Sequence, residues 1–188
     1  MVKRFFPNSE FGIRNSESRG VTRFVFETPA GWVTMRVTDN GLCELALPCS
    51  TRAEAESRLL GKGVIEENVE THVEAVRLAG ELRRYFAGER ARFTVRVDLN
   101  GLTDWQRRVL MKTAEIPYGD LVTYGELAAA VGSSGAARAV GQAMARNPVP
   151  IVVPCHRVVA ASGKLGGYSA GLQWKQRLLA LEGVDLGF

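Results

Sequence analysis

The segment that decides the fold, residues 123–159, reads TYGELAAAVGSSGAARAVGQAMARNPVPIVVPCHRVV. Thr123 is followed three residues later by Glu126, a spacing typical of a capping box at the start of a helix. Four residues, GSSG, interrupt the helical pattern, and a second helix is predicted over Ala136–Arg146 because an Asn-Pro pair follows it. The segment therefore predicts two short helices joined by a tight turn, which is the pattern of a helix-turn-helix.

The second predicted helix is rich in small residues. Its sequence, ARAVGQAMARN, leaves a slender face that can approach a nucleic-acid backbone closely, with Arg138 and Arg146 projecting from it. The same composition also suits close packing between helices. Short helix pairs are common in proteins that bind no DNA, so the residues alone leave both interpretations open.

The end of the segment places a cysteine beside a histidine and an arginine. Cys155, His156 and Arg157 lie within an apolar stretch that reads as a β-strand. A nucleophilic cysteine needs a nearby cation or base to form its thiolate, and the two neighbours offer both. Adjacent residues of a strand point to opposite faces, so a water molecule would have to link Cys155 to His156. A reactive and a structural cysteine both remain open at this point.

The first half of the chain has a different pattern. Residues 21–29 and 31–47 contain alternating apolar residues bounded by turn-forming residues, which predicts short antiparallel strands. Apolar residues at helical spacing predict helices over 51–61 and Glu67–Ala87. Residues 1–20 show no period and predict an extended or poorly ordered lead-in.

Helical signals dominate after residue 98, where a domain boundary is predicted. We therefore expect an α+β protein in three parts: a basic lead-in over 1–20, a small antiparallel sheet with helices over 21–97, and a mainly helical domain with the helix-turn-helix over 98–188.

Composition narrows the class of protein. The chain has 188 residues, 46% hydrophobic and 23% charged, which is typical of a globular protein. No run of 18 apolar residues occurs, and the opening residues lack the apolar core of a signal peptide. We expect a cytoplasmic protein without membrane contact, at the nucleoid in a prokaryote or in the nucleus in a eukaryote. The net charge of +4 favours an anionic partner.

The cysteines and histidines are few. Cys43, Cys49 and Cys155 form no CxxC pair, and His72 and His156 are the only histidines, so no metal site is expected. Cys43 and Cys49 could form a disulfide or remain free thiols, and the sequence leaves this open.

A resemblance to a known family rests on the sequence around Cys155. PCHRV, with Asn147-Pro148 upstream and GGYSAG downstream, resembles the signature of O6-alkylguanine-DNA alkyltransferases. The resemblance continues in register over residues 100–184, through IPYGDLVTYGELA and KQRLLALEG, and is looser in the first half. Asp104-Trp105 departs from the Phe-containing pair that the family usually has there.

The resemblance implies a DNA repair activity. The alkyl group of O6-alkylguanine, and of O4-alkylthymine, in double-stranded DNA is transferred to a cysteine of the protein itself. The resemblance further implies that the damaged nucleotide is flipped out of the duplex through the minor groove and that the protein acts once, without a cofactor. We expect a monomer when the protein is free.

The resemblance also implies roles for individual residues. Cys155 would accept the alkyl group, His156 would help to form its thiolate through a bound water, and Glu182 would orient His156, which is the logic of a catalytic triad. Asn147 would brace the turn before Cys155, and Tyr124 would donate to guanine N3. The implied contacts to the substrate and DNA are Arg138 as the finger that enters the base stack, Tyr168 and Ser169 in the pocket loop, the carbonyl of Val158, and Ala139, Gly141 and Arg157.

Three other functions fit parts of the pattern. A non-catalytic relative that binds lesions and recruits repair factors would lack the acceptor cysteine. A Cys-His hydrolase would need an oxyanion hole and would release its product. A helix-turn-helix regulator would prefer one DNA sequence and tolerate the loss of Cys155.

Overall fold

The computed structural model describes residues 20–58, 64–66, 69–161 and 164–185, of which 64–66 are described by their backbone alone. The described residues divide into two compact units between Asn100 and Gly101. This division lies close to residue 98, where the sequence predicts a boundary. The predicted lead-in lies outside the described residues, apart from Gly20.

The first unit contains a four-stranded sheet with the order β3-β2-β1-β4. Strands β1 (Thr22–Thr28), β2 (Gly31–Thr38) and β3 (Gly41–Leu45) are antiparallel, as predicted. A short fourth strand, β4 (Val64–Glu66), pairs with β1 in parallel and was not predicted. Its three residues carry too little pattern to be recognised from sequence.

Two helices accompany this sheet, α1 (Arg52–Arg58) and α2 (Val73–Phe86). Residues 59–61 of the first predicted helix lie outside the described residues. The second prediction began too early, because His72 is extended, with φ −136° and ψ 119°, and separates α2 from a turn of 3-10 helix at Val69–Thr71. Glu67 and Asn68 are not described.

The cysteines of the first unit, Cys43 and Cys49, are free thiols. The Sγ atom of Cys43 lies 3.3 Å from the carbonyl oxygen of Arg36, and that of Cys49 lies 3.4 Å from the carbonyl oxygen of Trp32. Each thiol is thus a weak donor to its own part of the sheet. This answers the question that the sequence left open.

The second unit is mainly helical, as predicted. Its helices are α3 (Asp104–Ala114), α4 (Tyr124–Ala130), α5 (Ala137–Met144) and α6 (Leu172–Leu181). A pair of two-residue parallel strands, β5 (Val122–Thr123) and β6 (Val158–Val159), joins the start of α4 to the chain that follows Cys155.

The core of this unit lies between α3, α4 and α5, which pack against one another. Val109, Leu127 and Val140 are fully buried there, one from each helix, and Cys155 belongs to the same cluster. Burial of side chains of this size contributes about 1.5–3 kcal/mol each. The hydrophobic core of the second unit therefore reaches the predicted nucleophile.

Helices α4 and α5 have the local signals that the sequence predicted. Thr123 Oγ1 accepts from the backbone N–H of Glu126, and the Glu126 carboxylate accepts from the N–H of Thr123, which completes the capping box. Gly132 and Gly135 adopt positive φ angles of 76° and 88° between the helices, a conformation that glycine tolerates best. The use of this helix pair as a DNA-binding helix-turn-helix stays a prediction.

Among the described residues, no helix is long and apolar enough to cross a membrane.

The capping box gives a stability prediction. Thr123→Ala removes the side-chain acceptor at the start of α4 and should lower the free energy of unfolding by about 1 kcal/mol, measured by urea denaturation. Thr123→Ser keeps the hydroxyl and should stay closer to the wild type. Equal losses in the two variants would show that the lost methyl group, rather than the cap, is responsible.

Candidate active site

Cys155 begins a turn of 3-10 helix, Cys155–Arg157, rather than lying in a strand as the sequence predicted. Pro154 precedes the turn with φ −80° and ψ 62°, and pairing as a strand starts only at Val158. A 3-10 helix has three residues per turn, so Cys155, His156 and Arg157 project in three different directions. Cys155 therefore lines a cavity, whereas His156 and Arg157 both reach the carboxylate of Glu182.

Asn147 braces the chain between α5 and Cys155. Its side-chain nitrogen donates to the carbonyl of Val153 at 2.9 Å and to Cys155 Sγ at 3.1 Å, and its side-chain oxygen accepts from the N–H of Val149 at 3.1 Å. Ile151 between them adopts a positive φ of 73°, which is unusual for a β-branched residue. One amide group therefore fixes the turn and contacts the sulfur at the same time.

His156 lies in a buried ionic cluster. Its Nε2 atom is 2.7 Å from Glu182 Oε1, and both side chains are fully buried. Arg157 donates from Nε to Glu182 Oε2 at 2.8 Å and from Nη2 to Oε1 at 2.9 Å. The N–H of Gly119 also donates to Oε2, at 3.1 Å. The carboxylate at the end of α6 is thus surrounded by donors.

The pKa values of this cluster follow from burial and charge. Burial lowers the pKa of His156, and the neighbouring Glu182 only partly opposes it. Burial alone would raise the pKa of Glu182, but hydrogen bonds from His156 and Arg157 outweigh it and lower that pKa. A neutral imidazole beside an ionised carboxylate donates through Nε2, which leaves Nδ1 as an acceptor. His156 Nδ1 is buried and has no protein partner among the described residues, so it is available as a base.

The prediction that Arg157 contacts DNA is wrong. Its side chain is buried, and besides Glu182 it donates from Nη1 to the carbonyl of Ile116 at 2.6 Å. Because the guanidinium is buried and already donates to a carboxylate and a backbone carbonyl, it cannot also bind a phosphate of the DNA. Arg157 instead compensates the charge of Glu182.

A cavity of about 660 Å³ opens above Cys155. It is lined by α5, by the start of α4 and by the loop before α6. The lining residues are Tyr124, Ala137, Arg138, Gly141, Gln142, Met144, Ala145, Cys155, Gly167, Tyr168 and Ser169. Six predicted site residues, namely Tyr124, Arg138, Gly141, Cys155, Tyr168 and Ser169, are thus brought together around one space.

Two predicted contact residues do not line the cavity. Ala139 lies on α5, where its carbonyl accepts from the indole N–H of Trp105 at 3.4 Å. Val158 is fully buried, and its carbonyl accepts from Lys175 Nζ at 2.5 Å. Their predicted contacts to DNA and base stay predictions.

Tyr124 forms one wall of the cavity. Its hydroxyl donates to the carbonyl of Gly167 at 3.3 Å, and its ring lies against Gly141 and Gly166. Burial raises the pKa of Tyr124 and of Tyr168, so both side chains remain phenols, and hence donors, at neutral pH. The hydroxyl of Tyr168 is buried and has no nitrogen or oxygen partner among the described residues.

Lys175 is the residue that sequence reasoning missed. It lies on α6, is fully buried, and donates from Nζ to the carbonyls of Val158 and Leu165 at 2.5 Å and to that of Gly167 at 3.5 Å. Burial lowers its pKa to about 8. A lysine on an amphipathic helix normally faces solvent, so only its position within KQRLLALEG, a segment shared with the family, could have indicated a role.

The sulfur of Cys155 is subject to opposing effects. Burial raises the pKa of its thiol, whereas the Asn147 amide, the Lys175 charge and the Tyr168 hydroxyl each lower it. Groups that stabilise a thiolate therefore surround the sulfur within an otherwise apolar pocket.

The chain is similar to proteins of one family. Residues 104–184 match the family described as 6-O-methylguanine DNA methyltransferase, DNA binding domain. The methylated-DNA--protein-cysteine methyltransferase of Methanosarcina acetivorans is 42% identical over 165 residues, which cover 85% of this chain and 96% of the relative. The chain belongs to this methyltransferase family.

Other family members match over different shares of their length. The methyltransferase of Mycolicibacterium paratuberculosis is 56% identical over 102 residues, which cover 54% of this chain but only 61% of the relative. Among solved structures, Mycobacterium tuberculosis OGT in complex with DNA is 38% identical, with a TM-score of 0.72 over 86% of this chain and 92% of that one. The Pyrococcus kodakaraensis O6-methylguanine-DNA methyltransferase is 30% identical, with a TM-score of 0.61 over 87% and 99%.

The buried carboxylate gives a pH-dependent prediction. Glu182→Gln leaves Arg157 without its counter-charge and should lower the free energy of unfolding by about 3 kcal/mol at pH 7. Because the pKa of folded Glu182 lies below its unfolded value of about 4.3, its contribution is present above that pH and is lost as the pH falls further. Urea denaturation from pH 7 to pH 3 should therefore show the two proteins converging at acid pH.

Glu54→Gln provides the control for that series. Glu54 pairs with Arg58 on the surface of α1, where water screens the pair, so its loss should change stability little at any pH. A difference between wild type and Glu182→Gln that stays constant down to pH 3 would contradict the ionised state of Glu182.

The packing of Tyr124 gives a further prediction. A Cβ atom on Gly166 would lie 2.9 Å from the Tyr124 ring, at a backbone φ of 71° that disfavours a side chain. Gly166→Ala should therefore destabilise the protein by about 2 kcal/mol, measured as thermal unfolding. Gly167→Ala is the matched control, since its Cβ would meet no atom within 4 Å. Equal stability of the two variants would show that the loop adjusts freely.

Proposed function

We propose that the protein repairs DNA by transferring an alkyl group from O6-alkylguanine, and from O4-alkylthymine, to its own Cys155. The observation that carries the proposal is the position of Cys155 in a cavity lined by the small-residue helix α5, with His156 next to it in the same turn and held by Glu182. The relatives support it, since they are named methylated-DNA--protein-cysteine methyltransferases.

The chemistry requires a thiolate. His156 Nδ1, the buried acceptor without a protein partner, takes the proton of Cys155 through one bridging water. Glu182 holds the imidazole in the required tautomer, as the carboxylate of a triad does. The hydrogen bond from Asn147 and the charge of Lys175 then stabilise the anionic sulfur.

The transfer itself is a single displacement. Sγ attacks the alkyl carbon as the bond from that carbon to guanine O6 breaks, and the electron pair of the broken bond remains on the guanine. The guanine anion then takes up one proton, so the thiol proton is balanced by the N–H of the restored base. The S–C bond of the product resists hydrolysis, and the protein therefore acts once.

Several pocket groups would stabilise the departing guanine. Tyr124 is a protonated phenol in the cavity wall, and its hydroxyl would turn from the carbonyl of Gly167 to donate to guanine N3. The backbone N–H of Ser169 would donate to O6, because Ser169 lies on the exposed rim of the cavity. The carbonyls of Cys155 and Val158 would accept from the exocyclic amine, and the Val158 oxygen has a second lone pair beyond the one that binds Lys175.

The DNA must be distorted for this reaction. Guanine O6 faces the major groove, out of reach of a helix that enters the minor groove, so the nucleotide is flipped into the cavity at a cost of a few kcal/mol. Arg138 is exposed at the cavity edge and would fill the vacancy in the stack. Ala139 and Gly141 leave α5 slender enough to enter the minor groove, where the helix pair would act as a helix-turn-helix without strong sequence preference.

Intact-protein mass spectrometry tests this proposal. Incubation with duplex DNA that contains O6-methylguanine should add one methyl group, a gain of roughly 14 Da, and saturate at one per chain because the nucleophile is consumed. Cys155→Ala should gain no mass. Peptide mapping should place the methyl group on Cys155 and leave the free thiols of Cys43 and Cys49 unmodified.

Other outcomes would point to other functions. Tight binding to the lesion without a mass change would favour a protein that recruits repair factors. Catalytic turnover with an unmodified cysteine would favour a hydrolase. A duplex with O4-methylthymine, used in the same assay, tests the second substrate separately.

A further inference from the structure

Arg108 is an exposed cation on α3, outside the cavity. Its guanidinium carbon lies over the Trp105 ring, 5.8 Å from the ring centre, which is within the range of a cation-π contact. Within the described part of the chain it forms no ion pair with a carboxylate. The charge is therefore held in place by the ring without being neutralised.

Trp105 is itself attached to α5. Its indole N–H donates to the carbonyl of Ala139 at 3.4 Å, and its ring packs against the hydrophobic core of the second unit. Ala139 follows Arg138, the residue at the cavity edge. Trp105 thus links the guanidinium of Arg108 to α5 and places a positive charge on the side of α5 that carries the Ala139 carbonyl, which is here called the flank of α5.

We propose that Arg108 binds a backbone phosphate of the DNA strand that runs along this flank of α5. This inference rests on the proposed function, because it takes DNA as the partner of α5. The minor groove is only about 6 Å wide, so a helix that enters it has phosphates on both sides. A guanidinium matches a phosphate with two parallel hydrogen bonds, and prior stacking reduces the entropy lost when it binds.

The neighbouring Arg107 differs from Arg108 because its guanidinium is bound within the protein. It lies 3.5 Å from Asp104 and donates to the carbonyl of Leu102 at 3.3 Å. These contacts tie Arg107 to the start of its own helix. Arg107 and Arg108 carry the same charge on the same helix, and only Arg108 is left for an external anion.

Salt-dependent binding to undamaged duplex DNA tests the inference. Each lost phosphate contact reduces the slope of log affinity against log salt by about 0.9 in magnitude. Arg108→Gln should show this reduction, whereas Arg107→Gln should keep the wild-type slope. Trp105→Leu removes the stacking ring but keeps the charge, so it should weaken binding without changing the slope.

Transfer kinetics separate binding from chemistry. With O6-methylguanine duplex, Arg108→Gln should need a higher DNA concentration for half-maximal rate but reach the wild-type rate at saturation, because the residue lies outside the reacting site. An unchanged slope in Arg108→Gln, or an equal loss in both arginine variants, would overturn the inference. If the wild type neither binds nor repairs the duplex, the proposed function itself fails.

Discussion

The buried carboxylate of Glu182 is the group on which the second unit depends. It accepts from His156, from two nitrogens of Arg157 and from the backbone of Gly119. A buried carboxylate costs several kcal/mol unless such donors compensate it, so these contacts are conditions for folding as well as for orientation. The end of α6, the turn after Ile116 and the 3-10 turn that begins at Cys155 are fixed together because they share this one charge.

A second buried charge holds the cavity wall. Lys175 binds the carbonyl of Val158 on the nucleophile side and those of Leu165 and Gly167 in the pocket loop. Residues 164–171 of the loop form no helix or strand that could satisfy the carbonyls of Leu165 and Gly167, so the ammonium supplies the donors instead. Tyr124 then packs on the same loop. Glu182 fixes the ring of His156, and Lys175 shapes the loop that lines the cavity at Cys155.

Local signals made the helical part of this site predictable. The capping box at Thr123 and the stop at Asn147 depend on residues within a few positions of each other, and the sequence displays them directly. The roles of Arg157 and Lys175 depend on partners that are distant in sequence, such as Glu182 at 25 positions from Arg157. The sequence does not show whether a charged side chain faces solvent or a buried carboxylate. Arg157 was therefore predicted to contact DNA, although its side chain is buried against Glu182.

Asn147 connects α5 to the surroundings of Cys155. It follows the end of α5 by three residues, and one amide nitrogen donates both to the Val153 carbonyl and to the sulfur of Cys155. The oxygen of the same amide accepts from the N–H of Val149. A change at the sulfur that removes its hydrogen bond would therefore also act on the turn that follows α5, because one side chain makes all three contacts.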